Sequence, residues 1–194
     1  MNILITGGLG YIGSGLIKFL LEKNHTVTVI DKILYNNFDV LLNYLRDKRF
    51  FFNQGDVINE NFLKENIKNQ DLIIHLAAVV GYPACKKDPS FAEKTNYNST
   101  LNLARLCDGK IPIIYASSTS NYGTVTDAIC TEETPLNPIS VYGKTKADAE
   151  EFLLSQYKNT VCYRFATAFG VAPRLRLDLM VNDFVYQAIK NKNL

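Results

Sequence analysis

Short runs of β-branched and aromatic residues alternate along the chain with longer stretches whose apolar residues recur at helical spacing. The short runs, at Asn2 to Ile5, Thr26 to Ile30, Phe50 to Gln54, Leu72 to His75, Ile111 to Ala116 and Thr160 to Phe165, each predict a strand. The helical pattern covers Ile12 to Glu22, Phe38 to Asp47, Asn61 to Lys68, Ser90 to Cys107 and Val141 to Gln156. Alternation of this kind predicts an α/β protein built on a doubly wound parallel sheet with helices on both faces. Right-handed crossovers favour the strand order 3-2-1-4-5-6. Phe50-Phe51-Phe52 and the group Leu41, Leu42 and Leu45 read as core or helix–sheet packing, and His75, ending an apolar strand, as a hydrogen-bonded core histidine.

Two loops follow strand carboxyl ends, where ligands bind in open α/β sheets. Val79 to Lys87 contains Gly81 and Pro83, and Thr119 to Pro138 contains Gly123, Pro135 and Pro138. The second is long enough to suggest function.

Composition narrows the partners. The 194 residues suit one large domain, and the net charge of +2 is scattered, without the basic stripe that nucleic acid requires. No apolar run approaches the ~20 residues of a membrane span, His75 interrupting the stretch from Leu72 to Val80, so neither nucleic acid nor membrane is expected as a partner. The chain opens directly on its first strand, leaving no room for an export signal, and a cytoplasmic location is expected. Cys85, Cys107, Cys130 and Cys162 lack paired spacing, so no metal site is expected and the thiols read as reduced.

The first strand runs into Gly7-Gly8-Leu9-Gly10-Tyr11-Ile12-Gly13, and an acid, Asp31, ends the second strand. A glycine triplet between strand and helix with a following acid is the dinucleotide-binding fingerprint of a Rossmann-type sheet. Gly7 takes the tight turn, Gly10 admits the pyrophosphate, Gly13 lets the helix pack closely on the strand, and the helix amino end stabilises the anion. Asp31 would accept hydrogen bonds from the adenosine ribose and repel a 2'-phosphate, which favours NAD over NADP. Lys32 works against that preference, since a swung ammonium would neutralise the phosphate.

Further on comes Tyr142-Gly143-Lys144-Thr145-Lys146. At i and i+4 on a helix, Tyr142 and Lys146 share a face. A phenol titrates near ~10, so a base at neutrality needs a shift of about three units, worth roughly 4 kcal/mol, and a nearby ammonium can supply it. Ala116-Ser117-Ser118-Thr119-Ser120-Asn121-Tyr122-Gly123 adds hydroxyls at the end of the preceding strand, one of which can polarise a carbonyl.

These motifs, with Gly55-Asp56-Val57 and His75-Leu76-Ala77-Ala78, stand in the order seen in extended short-chain dehydrogenases/reductases. The chain resembles the NAD-dependent nucleotide-sugar epimerases and dehydratases of that family, enzymes of isomerase and oxidoreductase type. The resemblance implies Gly7, Gly10, Tyr11, Ile12, Gly13, Asp31 and Lys32 around the cofactor, Asp56 and Val57 near the adenine, and Ala77 and Ala78 beside its phosphates and ribose. It further implies Lys146 on the nicotinamide ribose, Tyr142 as base and Ser118 as the catalytic hydroxyl, with Ser117 and Thr119 as open alternatives.

Departures from the family pattern refine the expectation. Where sugar 4,6-dehydratases carry an Asp-Glu pair after the catalytic hydroxyl, this chain has Thr119-Ser120, which disfavours elimination and favours an epimerase, with a dehydratase or reductase as the alternative. Many epimerases place an Asn after the sixth strand to hold the substrate diphosphate; here Thr167 stands there, and Arg174, Arg176 and Asn182 become candidate substrate ligands, with surface salt pairing an equal reading for the arginines. Proteins of this type continue beyond the segment equivalent to Val181 to Lys192 into a substrate lobe. Residues 1–194 are therefore expected to form one NAD-binding domain, with 171–194 beginning the connection to that lobe. The expected partner is a nucleotide sugar, a homodimer stays open, and a cofactor-binding module without turnover is the competing reading. The surface from Pro173 to Phe184 is expected to be apolar.

Overall fold

The computed structural model describes residues 1–125 and 129–192. Its centre is a six-stranded sheet in the order β3-β2-β1-β4-β5-β6, with every neighbouring pair parallel. The strands are β1 (Asn2–Thr6), β2 (Thr26–Asp31), β3 (Phe50–Gln54), β4 (Leu72–His75), β5 (Ile113–Ser118) and β6 (Thr160–Phe165). Strand order and parallel pairing therefore agree with the doubly wound expectation.

The helices are α1 (Tyr11–Glu22), α2 (Glu60–Asn66), α3 (Tyr82–Lys87), α4 (Pro89–Glu93), α5 (Ser99–Cys107), α6 (Val141–Gln156) and α7 (Met180–Asn191). Central strands bury both faces, as parallel sheets require. Leu4, Ile73, Ile113 and Tyr115 pack toward α2, α5 and α6 around Leu63, Leu103 and Leu153. Ile3, Ile5, Val29 and Ile74 pack the other way, against Ile17, Leu20 and Leu21 of α1.

The structure corrects four local expectations. Phe38 to Asp47 is a short 3-10 turn over Phe38–Asn43, not an α-helix, and its tighter winding buries Val40 and Leu41 while leaving Leu42 and Leu45 exposed. In the edge strand β3 the two-residue period turns Phe50 and Phe52 inward and Phe51 to solvent. Two thirds of the loop from Val79 to Lys87 is helical, started by Gly81 at φ +89 and by a proline in the first turn of α3. The stretch Ser90 to Cys107 is helical but carries a π turn over Lys94–Asn98 that separates α4 from α5. Part of the loop from Thr119 to Pro138, residues 126–128, lies outside the described residues.

One region is uncovered. On the α1 side of β6, Val161, Tyr163 and Phe165 are exposed, the two rings stacked 6.0 Å apart. Leu175, Leu177, Met180, Phe184, Val185 and Ile189 are exposed along the following segment and α7. Exposed apolar side chains concentrated in this way favour association. Light scattering over a concentration series is expected to show the mass rising with concentration, and Phe184→Glu with Ile189→Glu to reduce that rise; a constant monomer mass would exclude it.

Candidate active site

One cavity of about 750 Å³ lies at the carboxyl ends of the strands. It is lined by every residue the sequence nominated for cofactor or catalysis and by Thr167, Arg174 and Arg176, but not by Asn182.

At one end is the glycine turn. Gly7 has φ +67, and a Cβ there would sit 2.7 Å from the Ala77 backbone, so both conformation and space require glycine. At Gly13 a Cβ would meet the Gly8 carbonyl at 2.5 Å. The close approach that the sequence placed between helix and strand is thus between α1 and the turn itself. Gly10 caps α1 without any side-chain hydrogen bond, and no acid occupies the first turn. The positive end of the helix faces the cavity uncompensated, a setting that fits a diphosphate.

Asp31 ends β2 beside this turn. Its carboxylate accepts from the Leu9 amide at 3.0 Å and the Ile33 amide at 2.7 Å. Burial pushes its pKa up, while those two amides and the Arg174 charge pull it down. Lys32 is 2.7 Å from the Asp56 carboxylate, and the Asp56 turn is fixed by a bond from the Ile58 amide at 3.0 Å. Val57 is buried and packs in the core cluster. The Ala77 amide donates to Thr6 Oγ1 at 3.1 Å, which leaves Ala77 against the Gly7 turn. His75 bridges Thr6 and Thr100 through its two ring nitrogens at 2.6 and 3.0 Å. Burial, reinforced by the Lys146 charge, lowers its pKa to about 3, so it is a neutral core residue with no free ring nitrogen.

At the other end, Tyr142 and Lys146 project from the first turns of α6, whose amino end is capped by Ser140 through the Gly143 amide at 3.0 Å. Alternation along β5 sorts the candidate hydroxyls. Ser117 points into α6 and donates to Glu150 at 2.5 Å, and Thr119 donates to the Phe165 carbonyl at 3.3 Å. Ser118 accepts from the Ser120 amide at 3.1 Å and lines the cavity with Tyr142, whose pKa it pulls down.

The electrostatics differ from the expectation that Lys146 lowers the Tyr142 phenol. Burial raises the phenol's pKa, opposed by the Ser118 hydrogen bond and the Arg176 charge, with Cys85 adding to the rise. Lys146 is itself buried, its Nζ 3.9 Å from the centre of the Tyr115 ring. Burial lowers its pKa to about 7, against smaller raising pulls from Cys162, Glu150 and Cys85. The same apolar surroundings disfavour the charged form of both the amine and the phenol.

Two supporting groups were not singled out in the sequence. Glu150 is buried and accepts from Ser117, from Asn121 at 3.1 Å and from Arg164 Nε at 2.8 Å. Arg164 also donates to Tyr122 and to the Glu132 carbonyl, each at 2.9 Å. Asn96, in the π turn, bonds both backbone groups of Val79 at 2.7 and 3.0 Å and reaches Thr145 at 3.2 Å. The i+4 position of Glu150 relative to Lys146 was the available signal for the first. The π turn offered none for the second.

The nominated substrate ligands separate. Arg174 lies over the Tyr35 ring at 4.7 Å and 4.0 Å from where a Gly10 Cβ would be, on the glycine-turn side. Arg176 pairs with Asp178 at 2.5 Å, and its charge reaches Tyr142. The Asn182 amide is committed to the chain, accepting from Gly170 N and donating to Tyr11 Oη and the Arg176 carbonyl, all at 2.9 Å. It pins the segment that carries both arginines.

A glycine turn, an acid on β2 and a tyrosine–lysine pair on α6, facing one another across a doubly wound sheet, define an extended short-chain dehydrogenase/reductase. A family model described as GDP-mannose 4,6 dehydratase matches residues 4–170, and the chain belongs to that family. It is 29% identical over 157 residues to UDP-glucose 4-epimerase of Lactobacillus helveticus, covering 79% of this chain and 46% of that protein. It is 30% identical over 167 residues to dTDP-glucose 4,6-dehydratase of Streptomyces antibioticus, covering 81% and 49%. Among solved structures, UDP-glucuronic acid 4-epimerase from Bacillus cereus, in complex with UDP-glucuronic acid and NAD, superposes with a TM-score of 0.86 at 28% identity, covering 98% of this chain and 64% of that one. The chain thus spans about half the length of these two sequence relatives.

The Lys146 environment makes a pH prediction. Its pKa falls from 10.5 to about 7 on folding, so between those values the unfolded chain holds the extra proton and stability rises with pH. Urea unfolding from pH 7 to 9 should show this chain gaining on Lys146→Met by at most about 1.4 kcal/mol per pH unit. Parallel pH profiles would mean that the amine is not depressed.

Proposed function

We infer that this chain is the cofactor-binding and catalytic part of an NAD-dependent nucleotide-sugar epimerase. The observation that carries the reading is the convergence of Ser118, Tyr142 and Lys146 on the cavity whose far wall is the glycine turn and Asp31. The fit to a dinucleotide rests on the uncapped amino end of α1 and on the Gly7 and Gly13 approaches, which leave room for backbone but not for side chains. When bound, NAD supplies a hydride acceptor that can return the hydride to either face of a sugar carbon.

The residues have separate tasks in this reading. Tyr142 takes the proton from the sugar hydroxyl, Ser118 donates to the oxygen as it becomes a carbonyl, and Lys146 holds the nicotinamide ribose. Asp31 accepts from the adenosine ribose hydroxyls. Arg176, beside Tyr142, is the cation available to the substrate, whereas Arg174 belongs with the glycine turn and Asn182 acts as their support. A substrate lobe supplied by further residues, which the length of the relatives suggests, would close the sugar side.

Epimerisation is favoured over elimination because of the acids available. Among the described residues that line the cavity, the carboxylates are Asp31, Asp56 and Asp178, and Asp178 is paired with Arg176. The positions after Ser118 hold hydroxyls, so among the described residues no free carboxylate adjoins Tyr142 to assist loss of water.

Titration calorimetry is expected to show NAD binding more tightly than NADP, with Asp31→Ala narrowing the gap; equal affinities in the unaltered chain would contradict the Asp31 role. Tyr142→Phe should leave NAD affinity within about twofold while abolishing turnover wherever the chain is assayed with its substrate lobe. NMR of the products from UDP-, dTDP- and GDP-sugars distinguishes the reactions: an inverted hydroxyl supports the epimerase, and a 4-keto-6-deoxy sugar the dehydratase.

A further inference from the structure

The residues around the end of β2 carry more than the Asp31 contact. Immediately after Asp31 the chain reverses through Ile33, which has φ +59, a conformation that a β-branched residue rarely adopts. The bond from the Ile33 amide to Asp31 at 2.7 Å holds that reversal. Lys32 is thereby set at the cavity wall, next to the carboxylate that faces the adenosine ribose.

Its ammonium is engaged twice. It lies 2.7 Å from Asp56 Oδ2 and 4.7 Å from the centre of the Phe91 ring. Asp56 cannot follow the lysine elsewhere, because its other oxygen is fixed by the Ile58 amide. The pair is only half withdrawn from water, with side-chain exposures of 47% and 26%, so it contributes little to stability. Its effect is on where a charge stands.

We propose that Asp56 is a specificity-determining residue for the cofactor, acting by holding Lys32 away from the ribose 2' position. This rests on the NAD reading above. NAD and NADP differ only by a 2'-phosphate, which must sit beside Asp31. Without Asp56, Lys32, next in sequence to Asp31 and lining the same cavity as Arg174, would be free to neutralise that phosphate. Asp56 prevents this by occupying the ammonium at 2.7 Å. Asp31 excludes the phosphate directly, and Asp56 removes the residue that would rescue it.

The ratio of NADP to NAD affinity isolates this effect, because the adenine, diphosphate and nicotinamide contacts are common to both ligands and cancel. Arg174, the other cation on this side, is unchanged by the substitutions and cancels as well. Asp56→Asn keeps an acceptor for the Ile58 amide while removing the charge. Calorimetric titration of both cofactors into this chain should show Asp56→Asn shifting the ratio toward NADP by about tenfold, the size of one charge-assisted hydrogen bond. Adding Lys32→Met to that variant should abolish the shift, and added salt should reduce it.

An unchanged ratio in Asp56→Asn, or a shift that survives Lys32→Met, overturns the proposal while leaving the NAD reading intact, the second result pointing to simple loss of repulsion. No binding of NAD by the unaltered chain would overturn both. Circular dichroism of each variant, matched to the unaltered chain, identifies any loss of binding that comes from misfolding.

Discussion

The buried carboxylate of Glu150 is the interaction on which the geometry of the site depends. It gathers Ser117 at the end of β5, Asn121 in the turn beyond it and Arg164 on β6 onto one side chain of α6. A lone buried carboxylate would be prohibitive, and removing its partner from such a pair costs about 3–5 kcal/mol. Here the charge is met by a guanidinium and two hydrogen-bond donors, so only one arrangement of strand, turn and helix satisfies it. Ser118 and the Tyr142–Lys146 face belong to the elements locked in this way. Their separation is fixed by a group that lies outside the reacting cavity.

The opposite wall is fixed by exclusion rather than by charge. Gly7 and Gly13 have no Cβ because the Ala77 and Gly8 backbones occupy that space. The turn can therefore be tight enough to aim the amino end of α1 into the cavity. Asn182 then ties the segment after β6 to the phenol of Tyr11 at the start of α1. Glu150 fixes the catalytic wall from within, and Asn182 joins the segment after β6 to the α1 wall.

Much of this was legible in the sequence, for physical reasons that can be named. Central parallel strands are buried on both faces, so their apolar runs are continuous and stand out; the six strands and their order follow from them, although β5 begins and ends two residues later than the run from Ile111 to Ala116. The glycines and the i, i+4 tyrosine–lysine pair signal themselves because few other residues satisfy the same backbone or helical constraint. What was illegible depends on contacts between distant segments. Leu42 and Leu45 carry a helical apolar pattern, yet the 3-10 turn leaves them in solvent. Asn182 resembles a polar ligand until Gly170, Tyr11 and Arg176 are seen to use its amide. The choice among Ser117, Ser118 and Thr119 needed the partner of each hydroxyl, and no spacing rule contains that information.

The charge state of the inner wall follows from the same burial. Lys146 and Tyr142 both lie against apolar surroundings, which lower the amine's pKa to about 7 and raise that of the phenol. Each shift disfavours the charged form, so the wall tends toward neutrality when the protein is alone. The Tyr115 ring face offers the ammonium only partial compensation. A phenolate therefore requires added polarity from whatever enters the cavity: hydroxyls that bond Lys146 in its charged form, or a positive ring beside the phenol. In the proposed role of Tyr142 as base, the phenolate is scarce in the empty cavity and becomes populated as the cavity fills, which ties proton abstraction to an occupied site.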